Sequence, residues 1–168
     1  MAELRGDRVL LRPLETRDVA RLAEIGTEPA VARWWGDVTT ERLMEKAEGR
    51  DDATAFAVDL DGEVIGLAQF DELGEGDFKH AGIDLFLASA THGRGLGRDT
   101  VRTLARWLID ERGHHRLTID PAVANEPAIR AYEAVGFKPV GVLRKYWRDP
   151  DGVWQDGLLL DLLSEELS

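Results

Sequence analysis

Cysteine is absent from the 168-residue chain. Its absence excludes disulfides, thiolate metal sites and a cysteine acyl-enzyme intermediate. The chain also has no apolar stretch approaching the roughly 20 residues that a membrane-spanning helix needs. Residues 1–7 contain no apolar signal region. We therefore expect a cytoplasmic protein without a membrane partner.

Positive charge is scarce. Lysine and arginine total 21 against 32 aspartates and glutamates, which gives a net charge of −11. An acidic surface repels a phosphate backbone, so we expect no nucleic-acid partner and favour cationic small molecules or basic peptides. The size and the hydrophobic content of 43% predict a single domain over residues 1–168. Both a monomer and a homodimer remain open.

Hydrophobic periodicity and turn residues predict the order strand, helices, three strands, helix, strand, helix, two strands. Asp61-Gly62 predicts a hairpin between strands 53–60 and 63–70. An apolar stripe predicts the clearest helix over 98–112. The sequence mixes hairpins with helical crossovers. This predicts an α/β fold of mixed (α+β) type, in which helices cover a mixed sheet. Two further predictions are an N-cap at Thr16 and a polar loop over 71–79.

A glycine-rich turn, Thr91-His92-Gly93-Arg94-Gly95-Leu96-Gly97-Arg98, joins a predicted strand to the 98–112 helix. Glycines let the backbone approach a ligand closely, and the first turn of a helix has free N–H donors that favour phosphate. The spacing fits neither a P-loop nor a dinucleotide fingerprint. The turn by itself is also compatible with a mere tight connection. Residues 91–116 hold six arginines against three acidic residues, and Arg94 and Arg98 flank the free amides, where they could hold cofactor phosphates.

Acidic residues dominate the preceding segment, with ten acids and one lysine over residues 51–90. Most of this run is typical of a solvated surface. Asp84 differs because it lies inside a predicted strand, where a carboxylate costs free energy unless it is paired or used. Asp120 ends another strand just before Pro121. The two carboxylates could bracket a cationic amine, and desolvation would raise the pKa of one of them towards that of a base.

Two motifs carry a family resemblance. His92-x-x-Gly95-x-Gly97 and the run Asn125, Ala128, Tyr132, Gly136, Phe137 resemble motifs of the Gcn5-related N-acetyltransferase (GNAT) superfamily. His92 departs from the Gln or Arg usual at the first position of the pyrophosphate loop, which bears little on backbone binding. The resemblance implies a mixed, mostly antiparallel sheet of six to seven strands flanked by helices.

The resemblance also implies acetyl-coenzyme A as cofactor and direct acetyl transfer to a primary amine. Asp84 would be the base and Tyr132 the acid that protonates the departing thiolate, although Tyr132 without its motif is typical of a core aromatic. A backbone amide near Leu87 would polarise the thioester carbonyl. The implied cofactor-binding residues are Phe86, Leu87, Ala88, His92, Gly93, Arg94, Gly95, Leu96, Gly97, Arg98, Asn125, Ala128 and Tyr132.

Within the superfamily the chain is similar to aminoglycoside 6′-N-acetyltransferases. Trp34-Trp35-Gly36, Gly82-Ile83-Asp84 and the Asp120-Pro121 junction carry this similarity. It implies that Asp84 and Asp120 face the ammonium groups of an antibiotic, with Asp77 as a further acceptor contact. Trp34 and Trp35 either form an apolar wall against the acceptor or cap the core. Trp147 and Trp154 flank the last predicted turn and favour cross-strand packing.

Rival resemblances remain. Residues 8–14 and 143–156 resemble acetyltransferases of ribosomal-protein N-termini, and the tryptophan pair is similar to acyltransferases of siderophore assembly. A cofactor-binding sensor without catalysis is a third alternative, against which the presence of both Asp84 and Tyr132 argues. The histidines lack metal-ligand spacing, so we predict no metal site.

Overall fold

The computed structural model describes residues 2–168, and its centre is an eight-stranded sheet in the order β1-β2-β3-β4-β5-β6-β8-β7. All neighbouring strands are antiparallel except β5 and β6, which are parallel. The strands are β1 Leu4–Arg5, β2 Leu10–Pro13, β3 Thr54–Leu60, β4 Glu63–Leu73, β5 His80–Leu87, β6 Arg116–Ile119, β7 Lys138–Arg148 and β8 Trp154–Leu163.

Within residues 2–168, five α-helices cover the two faces of the sheet. They are α1 Val19–Gly26, α2 Pro29–Trp35, α3 Thr40–Ala47, α4 Leu96–Asp110 and α5 Glu126–Val135. The apolar residues of α4 and α5 form one buried cluster with the sheet, and those of α1, α2 and α3 form a second cluster on the opposite face. No helix within residues 2–168 combines the length and the apolar character that crossing a bilayer requires.

The predicted α/β class and the mostly antiparallel sheet are confirmed, and the Asp61-Gly62 hairpin joins β3 to β4 as predicted. Eight strands replace the expected six to seven, because the two-residue strand β1 pairs with β2. The predicted polar loop starts later than expected. Strand β4 continues to Leu73, since Leu73 still pairs with His80 at the start of β5.

Thr16 is not the N-cap that the sequence predicted. It begins a short 3-10 helix, and Asp18 takes the N-cap position of α1. Asp18 is buried and accepts two hydrogen bonds from the guanidinium of Arg12, at 2.9 and 2.8 Å, and a third from the backbone N–H of Glu15. These bonds connect strand β2 to the helix. The sequence pattern around the start of the helix did not predict them.

The feature that positions the functional site is a split in the sheet. Strands β5 and β6 pair only at Ala81–Leu117 and Gly82–Thr118. Beyond Gly82, β5 continues to Leu87 without this neighbour, whereas β6 stays paired with β8 up to Ile119. The two strands therefore part, and a cleft opens between their carboxyl ends.

Candidate active site

A cleft of about 1160 Å³ occupies the split between β5 and β6. Its walls come from α2, the end of β5, the glycine-rich turn before α4, the segment after β6, α5 and the end of β7. A site at a split between parallel strands presents backbone groups, helix N-termini and side chains to one ligand. The cleft therefore brings together parts of the chain that lie far apart in the sequence.

The edge of β5 offers free backbone groups to the cleft. The N–H of Ala88 donates to Ile65 of β4 at 2.7 Å. Because backbone groups alternate between the two edges of a strand, Leu87 and Leu85 face the split instead. Their carbonyls accept from His92 Nε2 at 2.8 Å and from Trp35 Nε1 at 3.0 Å. The N–H groups of Leu85 and Leu87 point the same way and can pair with an extended ligand.

The glycine-rich turn ends in a helix N-terminus with free donors. Gly93 and Gly95 have φ angles of +73° and +75°, a backbone region that favours glycine. Gly95 is the N-cap of α4, and the first N–H to bond back to it is that of Asp99. The amides of Leu96 to Arg98 are therefore unpaired within the helix. A Cβ atom built on Gly93 or Gly95 would meet nothing within 4 Å, so the turn is open beside these two glycines. Free N–H groups at a helix N-terminus can bind an anion.

Asp84 faces the cleft from β5, and its side chain is exposed there. Protein atoms nevertheless surround the carboxylate and reduce its hydration. The pKa of Asp84 is raised to about 7, chiefly by burial and then by the charges of Asp120 and Asp71, against the opposing charge of Lys46. A carboxylate with this pKa exchanges protons near neutral pH, as a general base must.

Asp120 lies across the split, directly after β6, and is half-buried. The hydroxyl of Tyr146 donates to its Oδ2 at 2.5 Å. Burial raises the pKa of Asp120 above its ordinary value, and the hydrogen bond from Tyr146 acts in the opposite direction. The same bond is the main cause that raises the pKa of Tyr146 to about 12. The two acids of the cleft thus have different surroundings, and only Asp120 has a hydroxyl donor.

Tyr132 projects from α5 into the cleft. The residue is 8% exposed, and its ring packs edge-on against Phe137 at 6.4 Å between centroids. Its hydroxyl has no hydrogen-bond partner within residues 2–168. Burial, followed by the charges of Asp84 and Asp120, raises the pKa of Tyr132 well above its ordinary value. The phenol therefore stays protonated at neutral pH and has a proton to donate.

The two adjacent tryptophans of α2 have different surroundings. Trp35 bonds to the edge of β5 and packs edge-on against Phe86 at 4.9 Å, so it braces the strand. The ring centroids of Trp34 and of Trp147 in β7 are 6.3 Å apart. The guanidinium carbon of Arg33 lies over the Trp34 ring, 4.4 Å from its centroid.

The sequence predicts that Trp147 packs across the closing hairpin; Trp147 does pair with Gln155 of β8, but its indole lies beside Trp34. Trp154 packs across the hairpin, with the guanidinium of Arg148 over its ring at 5.6 Å.

Most of the predicted site residues line this cleft. They are Trp34, Trp35, Asp84, Phe86, Leu87, His92, Gly93, Gly95, Leu96, Gly97, Arg98, Asp120, Asn125, Ala128 and Tyr132. Asp77 does not; it lies in a 3-10 helix between β4 and β5. Ala88 and Arg94 are also outside the lining, and the backbone N–H of Ala88 is already engaged by Ile65.

The contribution of β7 and of three arginines to the cleft was not predicted from the sequence. Tyr146, Trp147 and Arg148 line the cleft from the end of β7, and Arg33 and Arg130 line it from helices. The order of residues along β7 gave no signal for this position, because β7 reaches the cleft only through its pairing with β8. Within residues 2–168, no group of three or more histidines, aspartates or glutamates is arranged to hold a metal ion.

Comparison with known proteins shows which family these features belong to. The family model described as acetyltransferase (GNAT) domain matches residues 8–138. The aminoglycoside N(6′)-acetyltransferase type 1 of Klebsiella pneumoniae is 33% identical over 165 residues, covering 87% of this chain and 80% of the relative. The spermidine N(1)-acetyltransferase of Escherichia coli K12 is 25% identical over 141 residues, covering 80% and 75%.

Solved structures share the fold. Aminoglycoside acetyltransferase AAC(6′)-Ib in complex with ribostamycin and coenzyme A superposes with a TM-score of 0.77 at 29% identity, covering 95% of this chain and 96% of that one. The ribosomal-protein-S5-alanine acetyltransferase of Vibrio fischeri gives a TM-score of 0.83 at 19% identity, with both chains fully covered.

Proposed function

The chain belongs to the GNAT family of acetyl-coenzyme A-dependent N-acetyltransferases, and from this we propose that its acceptor is a polycationic small molecule, namely the 6′-amine of an aminoglycoside. The observation that carries the proposal is the pairing of two carboxylates, Asp84 and Asp120, in the cleft beside the free edge of β5. One carboxylate suffices to accept a proton from an amine. A second one nearby favours an acceptor with further ammonium groups.

The cofactor supplies an acetyl thioester, and this chain offers a place for each of its parts. The amides of Leu96 to Arg98 donate to the pyrophosphate, with Arg98 adding positive charge. The free N–H groups of Leu85 and Leu87 would bind the extended arm along the edge of β5. The Leu87 N–H would be the donor for the thioester carbonyl and would stabilise the negative charge that develops on its oxygen.

Two side chains move the protons. Asp84 accepts a proton from the acceptor's ammonium group, directly or through water, and the resulting neutral nitrogen attacks the acetyl carbon. As the new C–N bond formed and the C–S bond broke, Tyr132 would donate its proton to the sulfur. The second proton lost by the nitrogen would pass through water to the Tyr132 oxygen, and Asp84 would release its own proton to solvent, so that one proton is released per turnover. Both groups line the same cleft. Near neutral pH the Asp84 carboxyl group, with its pKa of about 7, is partly ionised, and the Tyr132 phenol is protonated.

The similarity to relatives supports a cationic acceptor. The relatives named for aminoglycosides and for spermidine both act on molecules that carry several ammonium groups. Excess negative charge on this chain, −11 in total, also favours such acceptors electrostatically. The similarity to the ribosomal-protein acetyltransferase favours a peptide N-terminus instead, but at 19% identity it concerns the fold alone.

A thiol-release assay with acetyl-coenzyme A tests the proposal. Kanamycin, spermidine and a short basic peptide are offered at equal concentration, and mass spectrometry locates the acetyl group on the product. We expect the highest kcat/KM with kanamycin and modification of its 6′-amine. If only the peptide were acetylated, the proposed acceptor would have to be a protein N-terminus and not a small molecule. Binding of the cofactor without transfer to any of the three amines would contradict the proposed reaction.

A binding titration tests the cofactor half separately. Calorimetry with coenzyme A is expected to show binding to the wild type and a weaker Kd for Arg98→Ala, because Arg98 lines the cleft at the helix N-terminus. Arg106→Ala is the matched control, since Arg106 is exposed on the same helix and does not line the cleft. Equal affinities in all three proteins would remove Arg98 from the phosphate site.

A further inference from the structure

Strand β7 carries an irregularity that no feature of the acetyl-transfer chemistry explains. Between Leu143 and Trp147 its register with β8 shifts, so that residues 144–146 bulge out. Lys145, at the centre, has a φ angle of +48°, and its N–H donates to Asp156 Oδ1 at 2.8 Å. A non-glycine residue in this region is strained, so the surrounding contacts must hold the bulge in place.

The bulge places Tyr146 over a glycine of the neighbouring strand. Gly157 of β8 is buried, and a Cβ atom built on it would lie 2.8 Å from Tyr146 Cδ2. Gly157 also forms an isolated antiparallel bridge with Ala122, in the segment that follows Asp120. The absence of a side chain at Gly157 therefore provides the seat for the Tyr146 ring.

From this seat the Tyr146 hydroxyl reaches the carboxylate of Asp120 across β8. Tyr146 lines the cleft and is 47% exposed. Packing in the protein core therefore does not explain why a tyrosine stands at this position. Together, the bulge, the glycine seat and the hydrogen bond fix the orientation of the Asp120 carboxylate in the part of the cleft where the acceptor would bind.

We propose that Tyr146 is a positioning residue that determines acceptor specificity: held by the bulge at Lys145 and the seat at Gly157, it fixes Asp120 as the anchor for a second ammonium group of the acceptor. This inference rests on the proposed function and deepens it. The Tyr146 hydroxyl satisfies Oδ2, and the other carboxylate oxygen is left for the ligand. A fixed carboxylate binds a cation without first losing rotational freedom.

The surroundings of the two carboxylates support the division of roles. Asp120 lies close enough to Asp84 for its charge to disfavour ionisation of Asp84, and a hydrogen bond to the ionised form favours the group that keeps its charge. Only Asp120 receives one from a side chain, and this bond opposes the rise that burial causes in the pKa of Asp120. Asp84 is thereby left as the group that takes up a proton near neutral pH.

Three single variants test the proposal, each with a thermal melt to confirm folding. Tyr146→Phe removes the hydroxyl, and Gly157→Ala displaces the ring while keeping the hydroxyl. Gly141→Ala is the matched control, because Gly141 lies in the same hairpin and a Cβ there meets nothing within 4 Å. The acceptor is kanamycin or spermidine, whichever the wild type acetylates faster.

For Tyr146→Phe and Gly157→Ala we expect the KM of the acceptor to rise roughly tenfold, as for one hydrogen bond to a charged group. The KM of acetyl-coenzyme A should stay within about twofold, and Gly141→Ala should match the wild type. In an Asp120→Asn background, Tyr146→Phe should have no further effect on the KM of the acceptor.

Other outcomes overturn the inference. An unchanged or lower acceptor KM in Tyr146→Phe would show that the hydroxyl does not position the anchor or competes with the ligand. Additive effects of Tyr146→Phe and Asp120→Asn would show that the two residues act independently. If the wild type acetylates the acceptor normally, such results reject the role of Tyr146 alone. If it acetylates no amine at all, the proposed function and this inference both fail.

Discussion

Trp35 donates its indole N–H to the backbone carbonyl of Leu85 at 3.0 Å, across 50 positions of the sequence. The bond joins the end of α2 to the edge of β5 inside the cleft. The other end of α2 is fastened too, because Glu28 accepts from the backbone N–H and the hydroxyl of Ser89 at 2.7 and 2.6 Å. Helix α2 is therefore fastened at one end to β5 and at the other to the segment that directly follows β5.

Replacing Trp35 by Phe should weaken this brace. We expect a loss of about 1 kcal/mol in unfolding free energy for the hydrogen bond, and a severalfold weaker Kd for coenzyme A because the β5 edge is less well held. Denaturant unfolding and calorimetry measure the two effects. Trp154→Phe serves as control, since Trp154 is 54% exposed outside the cleft. If Trp35→Phe matched this control, Trp35 would only fill space in the fold and would not brace β5.

Asp84→Asn should reduce kcat by roughly 10²–10⁴-fold, the usual contribution of a general base. In the wild type, kcat/KM should rise with pH up to about 7, where the Asp84 carboxyl loses its proton, and then level off. The asparagine variant should lack this rise. Stopped assays from acidic to basic pH give both profiles. A variant that kept the wild-type profile would assign the proton transfer to another group.

The same carboxylate should destabilise the fold above neutral pH. Its pKa is about 7 in the folded protein and 3.8 as the ordinary value, so between these values the folded state binds more protons than the unfolded state. Stability from this group is therefore present at low pH and lost as pH rises towards 7. Asp84→Asn should raise Tm more at about pH 8 than at about pH 4. Thermal melts at both pH values check the sign, and an equal change at both would contradict it.

Tyr132→Phe should lower kcat about a hundredfold, as expected for loss of a general acid, with the Kd of coenzyme A nearly unchanged. Its hydroxyl has no partner within residues 2–168, so Tm should not fall. Calorimetry and steady-state kinetics separate the two quantities. A loss confined to cofactor affinity would make Tyr132 a binding residue only.

Asp99 holds the glycine-rich turn indirectly. Its buried carboxylate accepts from the backbone N–H groups of Asp7, Arg8 and Val9 at 2.8–3.0 Å, and Arg8 in turn donates to the carbonyl of Arg94 at 3.0 Å. Asp99→Ala should cost about 3 kcal/mol through unpaired N–H groups. A domain of this size would then lose roughly 6–12 °C in Tm.

The control for Asp99 lies at the other end of the same helix. Asp110 is exposed and faces the negative end of the α4 dipole, so Asp110→Ala should leave Tm unchanged or raise it slightly. Differential scanning calorimetry compares the two variants. Equal effects of both substitutions would show that Asp99 does not anchor the N-terminal segment.

Much of the candidate site was predictable because its signals are local. The glycines at 93 and 95 mark a backbone conformation, and the alternation of β5 marks Asp84 as a carboxylate inside a strand. Tyr146 gave no such signal. Its role depends on a bulge in β7, a glycine in β8 and a carboxylate after β6, and no periodicity along one segment records these relations.

The sequence by itself determined the fold class and the place of the glycine-rich turn, and it singled out Asp84 and Tyr132 as candidates, because backbone preferences and motif spacing are properties of neighbouring residues. Only the tertiary structure decided that Asp77 lies outside the cleft, that Trp35 braces β5 while Trp34 meets Trp147, and that Tyr146 reaches Asp120. These outcomes depend on strand order and register, which place β7 beside β8 and part β5 from β6. Long-range pairing of this kind is set by packing of the whole sheet.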